Sequence, residues 1–102
     1  MHSMYIILTS KIGKFHSEII GSSSELETYH YYFHSELKAK FNIHLITQDV
    51  QIKITDETAP ITVNLISTKF LTHYDSIEKA RLEIKSLAPI NSNSFQLTKQ
   101  TP

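Results

Sequence analysis

Residues 38–55 read KAKFNIHLITQDVQIKIT, and a two-residue alternation runs through this segment with one break. The odd-numbered residues of 39–45 are apolar, and the even-numbered residues beside them are polar. After the break at residues 48–49, the apolar residues are the even-numbered ones of 50–54. A strand sends successive side chains to opposite faces. The segment therefore predicts two half-buried strands that form a hairpin, in a sheet with one wet face.

Three shorter segments predict further strands. Residues 5–9 and 15–20 are rich in β-branched and aromatic residues and flank Gly13, which suits a turn, so they predict a second hairpin. Residues 61–65 alternate in the same way. They follow Pro60, which belongs before a strand because it has no backbone N–H for a ladder.

Residues 25–37 fit either a helix or a strand. Ser24 and Glu27 have the spacing of a capping box, and the apolar residues of 26–37 recur at helical intervals. Residues 28–33 are instead dense in side chains that favour a sheet, and residues 34–37 would then turn into the next strand. We favour the strand. A helix here would place a crossover before residues 38–55 and change the topology.

One helix is expected near the C-terminus. Asp75 is the predicted N-cap, and Glu78 completes a variant capping box. Apolar residues recur at helical spacing over residues 77–87, and Pro89 ends the helix. Residues 89–102 are rich in Asn, Ser, Thr and Gln and predict a polar C-terminal tail.

These segments predict an α+β fold. Its antiparallel sheet has five to six short strands, arranged as a meander or hairpins, and one C-terminal helix packs on it. Residues 4–88 are expected to form a single domain, because a chain of 102 residues suits one small hydrophobic core.

Composition narrows the function classes. The chain has 10 basic residues (Lys and Arg) and 10 acidic residues (Asp and Glu). Because there is no basic excess, a nucleic-acid partner is not expected. The absence of cysteine excludes disulfides and thiol catalysis. No apolar run approaches the roughly 20 residues that span a bilayer, and none resembles a signal-peptide core. We therefore expect no membrane association and a cytoplasmic location.

The densest aromatic segment is the first candidate site. Tyrosine is enriched at protein interfaces, so the candidate interaction surface comprises Tyr29, His30, Tyr32 and His34. Exposed aromatics can also stack on RNA bases. An RNA interface would require basic side chains to gather beside Tyr32, namely Lys38, Lys40 and Lys53.

The histidines suggest two further sites. His30 and His34 have a metal-ligand spacing, but no third ligand is evident, so neither a metal nor a cofactor is expected. A weaker candidate is a pocket with His44, Lys69 and His73. The last two could hold an anion near the helix N-terminus, where the adjacent Asp75 would repel it.

The sequence favours a non-catalytic protein-interaction or accessory module, because it carries no strong catalytic signature. The expected partner is a protein or a second copy of the chain, as a homodimer, bound through an uncharged sheet edge (residues 5–8 or 61–66) or the aromatic segment. The alternative is a small dimeric enzyme or ligand-binding protein, with His and Tyr residues in a pocket between sheet and helix. A flat apolar patch would favour the interaction module. A cleft holding His30, His34 or His44 beside a carboxylate would favour the enzyme or ligand-binding protein.

Overall fold

The computed structural model describes residues 3–88 and 94–100, in which one helix packs on a seven-stranded sheet. The fold is α+β, as predicted, but with seven strands instead of five to six. In chain order the strands are β1 (Met4–Lys11), β2 (Phe15–Ile20), β3 (Ser24–Phe33), β4 (Glu36–Ile46), β5 (Gln51–Asp56), β6 (Thr62–Ser67) and β7 (Phe95–Gln100). The helix α1 is Ile77–Leu87, and a 3₁₀ turn, Thr68–Phe70, follows β6.

Every strand pair in the described sheet is antiparallel, and the spatial order is β6-β5-β2-β1-β4-β3-β7. The strand alternative for residues 25–37 is correct, because β3 pairs with β4 along its length. The two strands are joined at His34 and Ser35, whose φ angles of 51° and 65° are left-handed. Gly13 supplies a φ of 77° in the turn between β1 and β2.

The predicted hairpin of residues 38–55 is wrong. Its two strands form, but β4 lies between β1 and β3, whereas β5 lies between β2 and β6. Alternation shows that a strand is half buried and does not identify its partner. The ladder between β1 and β4 joins eight residue pairs, from Met4↔Ile46 to Lys11↔Ala39, and this long pairing takes the centre of the sheet.

The first hydrophobic core lies between the sheet and α1. The buried residues Ala39, Phe41 and Ile43 of β4 pack there against Ala80 and Ile84 of the helix. Tyr5 and Ile7 of β1 pack against the same cluster from the neighbouring strand. The helical spacing of residues 77–87 is thus confirmed, although Leu87 is 53% exposed.

A second core covers part of the face that was expected to be wet. Strands β1 and β2 pair next to their turn, at Lys11↔Phe15, and the Ser17 amide then donates to the Ser10 hydroxyl. Residues of β2 and β5 pack with Ile6 and Leu8 on the face of β1 opposite α1, which implies that the sheet bends after this pair. The buried residues of this second core are Ile6, Leu8, Ile46 and Ile52.

The helix begins one residue later than predicted. Its N-cap is Ser76, whose hydroxyl accepts from the Lys79 amide at 3.2 Å. Asp75 instead forms an ion pair with the Lys79 ammonium at 2.9 Å. Both residue types cap helices well, so the sequence does not distinguish them. Pro89, the expected helix stop, lies outside the described residues.

Residues 95–100, part of the expected polar tail, form the edge strand β7. They pair with β3 from Thr28↔Gln100 to Phe33↔Phe95. The Phe95 ring stacks on Tyr31, with ring centroids 5.8 Å apart. In this segment only Phe95 and Leu97 alternate with polar residues, and so short a pattern does not predict a strand.

A buried carboxylate joins three elements of the fold. Glu27 of β3 is 8% exposed and accepts two hydrogen bonds from the Arg81 guanidinium of α1, at 2.9 and 2.5 Å. It also accepts from the Tyr29 hydroxyl at 2.8 Å and pairs with the Lys99 ammonium of β7 at 3.0 Å. These contacts, the Arg81 hydrogen bonds above all, lower the pKa of Glu27 to about 2.

We expect Phe41→Ala to lower the free energy of unfolding by about 3–5 kcal/mol, because it removes a large side chain from the first core. Phe41 is 4% exposed. The matched control is Phe70→Ala, since Phe70 is 73% exposed and should cost no more than about 0.5 kcal/mol. Denaturant unfolding measures both, and equal losses would contradict the described core.

We expect Glu27→Gln to destabilise the protein near neutral pH by about 1.5–3 kcal/mol, the range for a lost hydrogen bond to a charged group. The native pKa of Glu27, about 2, lies below its ordinary 4.5. Its stabilisation is therefore complete above pH 4.5 and is lost as the pH falls towards 2.

The measurement is unfolding of the wild type and the variant across that pH range. Their difference should shrink as the pH falls, whereas the exposed control Glu57→Gln should differ little from the wild type at any pH. A difference between wild type and Glu27→Gln that is constant with pH would contradict the ion pair.

Candidate functional site

The aromatic segment does not form one surface. Tyr29 faces α1, where it packs on the first core and donates to Glu27. His30 and Tyr32 share the opposite face, and the His30 Nδ1 atom lies 3.3 Å from the Tyr32 hydroxyl. His34 is exposed in the turn after β3. The strand alternation that was predicted here thus divides the candidate interaction surface between two faces and a turn.

The weaker candidate pocket is also divided. The His73 Nε2 atom is 2.8 Å from the Thr68 carbonyl oxygen and 3.7 Å from the Asp49 carboxylate. The Lys69 ammonium lies 5.2 Å from the centroid of the Phe70 ring. His44 lies in a different cavity, whose lining includes neither Lys69 nor His73.

A cavity of about 280 Å³ lies between the sheet and α1. In it the Tyr74 hydroxyl donates to the Glu83 carboxylate at 3.2 Å. Burial, the negative charge of Glu83 and this hydrogen bond raise the pKa of Tyr74. The lining of this cavity contains no histidine. It comprises Ile7, Thr9, Leu71, Thr72, Tyr74, Glu83 and Leu87.

A larger cavity of about 410 Å³, the polar cleft, lies on the face opposite α1. Its floor carries the even-numbered residues of β4, Lys40, Asn42 and His44, which are the polar half of the alternation. The bend after β1 brings residues of β2 to its other wall. The remaining lining residues are Leu8, Ser10, His16, Ser17, Glu18, Ile19, Glu25, Thr28 and His30.

Hydrogen bonds fix the positions of several cleft side chains. The Asn42 amide donates to the Glu25 carboxylate at 2.7 Å and to the Thr28 hydroxyl at 2.9 Å. His44 has its Nδ1 atom 3.1 Å from the Ser23 hydroxyl and its Nε2 atom 4.0 Å from Glu25. The cleft thus holds a histidine beside a carboxylate, the arrangement expected of a small enzyme or ligand-binding protein, although it lies on the face opposite α1 and not between sheet and helix.

Two of the three cleft histidines, His30 and His44, have a lowered pKa, which favours the neutral ring. Burial lowers the pKa of His44, and the charge of Glu25 opposes this shift. The pKa of His30 is lowered by burial and by the positive charge of Lys40. Each ring therefore offers one hydrogen-bond donor and one acceptor at neutral pH.

The three lysines that an RNA interface requires do not form an open cationic surface. The Lys38 ammonium pairs with Glu36 at 3.2 Å, and the Lys53 ammonium pairs with Glu18 at 3.7 Å. Lys40 lies beside His30 in the polar cleft, whose lining includes neither Lys38 nor Lys53.

The β6 edge, residues 61–66, combines an open strand edge with exposed apolar side chains. β6 is the last strand of the sheet beside β5. Ile61, Val63 and Leu65 are 71%, 53% and 57% exposed, and none of residues 61–66 is charged. Residues 5–8, the other uncharged segment, are not an edge, because β1 is central.

No family model, curated protein or solved structure matches the chain. Within residues 3–88 and 94–100, no helix has the length and apolar character needed to cross a bilayer.

We expect removal of divalent metal by a chelator to leave the melting temperature unchanged. In the described part of the chain, no three side chains of His, Asp or Glu are grouped to hold a metal ion. The energy of a structural metal would be part of the folding energy, so its loss would lower the melting temperature. A decrease that added zinc reverses would contradict this expectation and point to His30 and His34.

Proposed function

We propose that this protein is a small non-catalytic interaction module that joins a second copy of itself through the β6 edge. The observation that carries the proposal is the combination of an open edge with exposed apolar side chains and no charge on residues 61–66. An accessory role in a larger assembly agrees with such a module.

An open edge presents unpaired N–H and C=O groups to any strand that approaches it. Proteins usually protect such edges with charges, prolines or bulges. Pro60 precedes β6 and leaves the strand itself unprotected. β7 at the other side of the sheet differs, because Lys99 carries a charge there and contacts Glu27.

A second copy fits this edge. If two β6 strands pair antiparallel about a two-fold axis at Asn64, Val63 lies directly opposite the partner's Leu65. Apolar cross-strand pairs of this kind stabilise a sheet, and the symmetry forms the pair twice. The formal net charge of zero adds little repulsion between copies.

The contacts of His44 support catalysis less well than they support ligand binding. His44 lies between Ser23 and Glu25, an order that would suit a nucleophile, a base and an orienting carboxylate. The 4.0 Å between His44 and Glu25 is too long for a hydrogen bond, and the same Glu25 oxygen already accepts from Asn42. The polar cleft is therefore better suited to binding than to nucleophilic chemistry.

We expect the wild type to have twice the chain mass of 11.7 kDa at high concentration and Leu65→Glu to remain a monomer. The substitution places a negative charge on the β6 edge. Within the same chain, residue 65 lies directly across from Lys53 of β5, and a pair of opposite charges at these positions is compatible with the fold. The matched control is Leu82→Glu on α1, where Leu82 is 64% exposed. It should still dimerise.

Sedimentation velocity over a wide concentration range measures the mass of the wild type and of both variants. A monomeric wild type at every concentration would contradict self-association. Dimerisation of Leu65→Glu, or its loss in Leu82→Glu as well, would contradict the assignment to the β6 edge.

A further inference from the structure

We infer that the polar cleft is a binding site for a small organic anion, whose carboxylate or phosphate group pairs with Lys40. This site lies on the face of the sheet opposite α1 and is separate from the β6 edge. Three features support the inference: the isolation of Lys40, the hydrogen-bonding groups around it and the charges at the rim.

Lys40 is the one partly buried lysine that lacks an anionic partner among residues 3–88 and 94–100. No carboxylate in this part of the chain lies within 4.0 Å of its ammonium group. The other described lysines without a carboxylate partner are all exposed, namely Lys11, Lys14, Lys69 and Lys85. An anion that binds this unpaired ammonium group gains a charge-assisted hydrogen bond without displacing a carboxylate of the protein.

The groups around Lys40 can complete the recognition of a polar ligand. Lys40 lies directly across from Ser10 on β1 and from His30 on β3. Asn42 and His44 follow along the cleft floor. The amide nitrogen of Asn42 already donates to Glu25 and Thr28, so Asn42 offers a ligand only its carbonyl oxygen, as an acceptor for the uncharged polar part of the molecule. Preformed hydrogen-bonding groups beside one charge are typical of small-molecule sites.

The rim restricts the size and charge of the ligand. Glu18 and Glu25 also line the cleft, and the Glu25 side chain is 55% exposed. Their negative charges oppose a nucleic acid or another polyanion, whereas a single anionic group can reach Lys40. The volume of about 410 Å³ suits a small molecule.

The test is a titration of the protein with inorganic phosphate and, separately, with lactate as a carboxylate probe, at constant ionic strength set by chloride. The ring signals of His30 and His44 and the Lys40 amide are followed by nuclear magnetic resonance. At least one probe should shift these signals saturably, and the probe that binds more tightly distinguishes phosphate from carboxylate. His34, exposed in the turn after β3, should not shift with them.

The decisive variant is Lys40→Met, and the charge-matched control is Lys85→Met on the exposed side of α1. Lys40→Met should weaken binding by about tenfold or more, the effect of losing a hydrogen bond to a charged group. Lys85→Met should bind as the wild type does. An unchanged His44 ring signal in ligand-free Lys40→Met shows that the cleft itself is intact, because His44 also lines the cleft and is not paired with Lys40.

The inference is overturned if neither probe gives a saturable shift in the wild type. It is also overturned if Lys40→Met binds as tightly as the wild type, or if His34 responds as strongly as His30. None of these outcomes depends on the oligomeric state, so the failure of the dimer proposal and the failure of this one are distinguishable.

Discussion

Burial of both faces of β1 is the constraint on which the rest of the structure depends. Tyr5 and Ile7 face α1, whereas Ile6 and Leu8 face the second core and are 0% and 3% exposed. Full burial of an isoleucine or leucine side chain contributes about 1.5–3 kcal/mol, so both faces must be covered. One is covered by the helix. The other is covered by β2 and β5, because the sheet bends where β1 and β2 stop pairing.

The bend forms one wall of the polar cleft. It brings residues of β2 over the polar residues of β4, so that Lys40 and His44 lie on the floor of the cleft. The β6 edge has a different origin, because β6 is the last strand beside β5 and its apolar side chains are exposed. The two proposed sites are therefore structurally separate.

Local patterns in the sequence predict the elements well and their arrangement poorly. The alternation of residues 38–55 correctly predicts two strands, but alternation does not identify partners, and the expected hairpin is absent. The Glu27–Arg81 ion pair joins residues 54 positions apart, and no local pattern in the sequence links them. Among the candidate site residues, the alternation of β3 already implied that Tyr29 and His30 lie on opposite faces. The cleft could not be predicted, because it depends on the bend after β1.

The most direct test of the central claim, that β6 is the contact edge between copies, is native-state hydrogen exchange at several protein concentrations. In an open edge strand, alternate backbone amides point away from the sheet and exchange readily. Dimerisation through β6 predicts that these amides of Thr62–Ser67 become protected as the concentration rises, while the amides of β7, at the opposite edge of the sheet, do not change. Exchange of the β6 amides at the same rate at every concentration would contradict the claim.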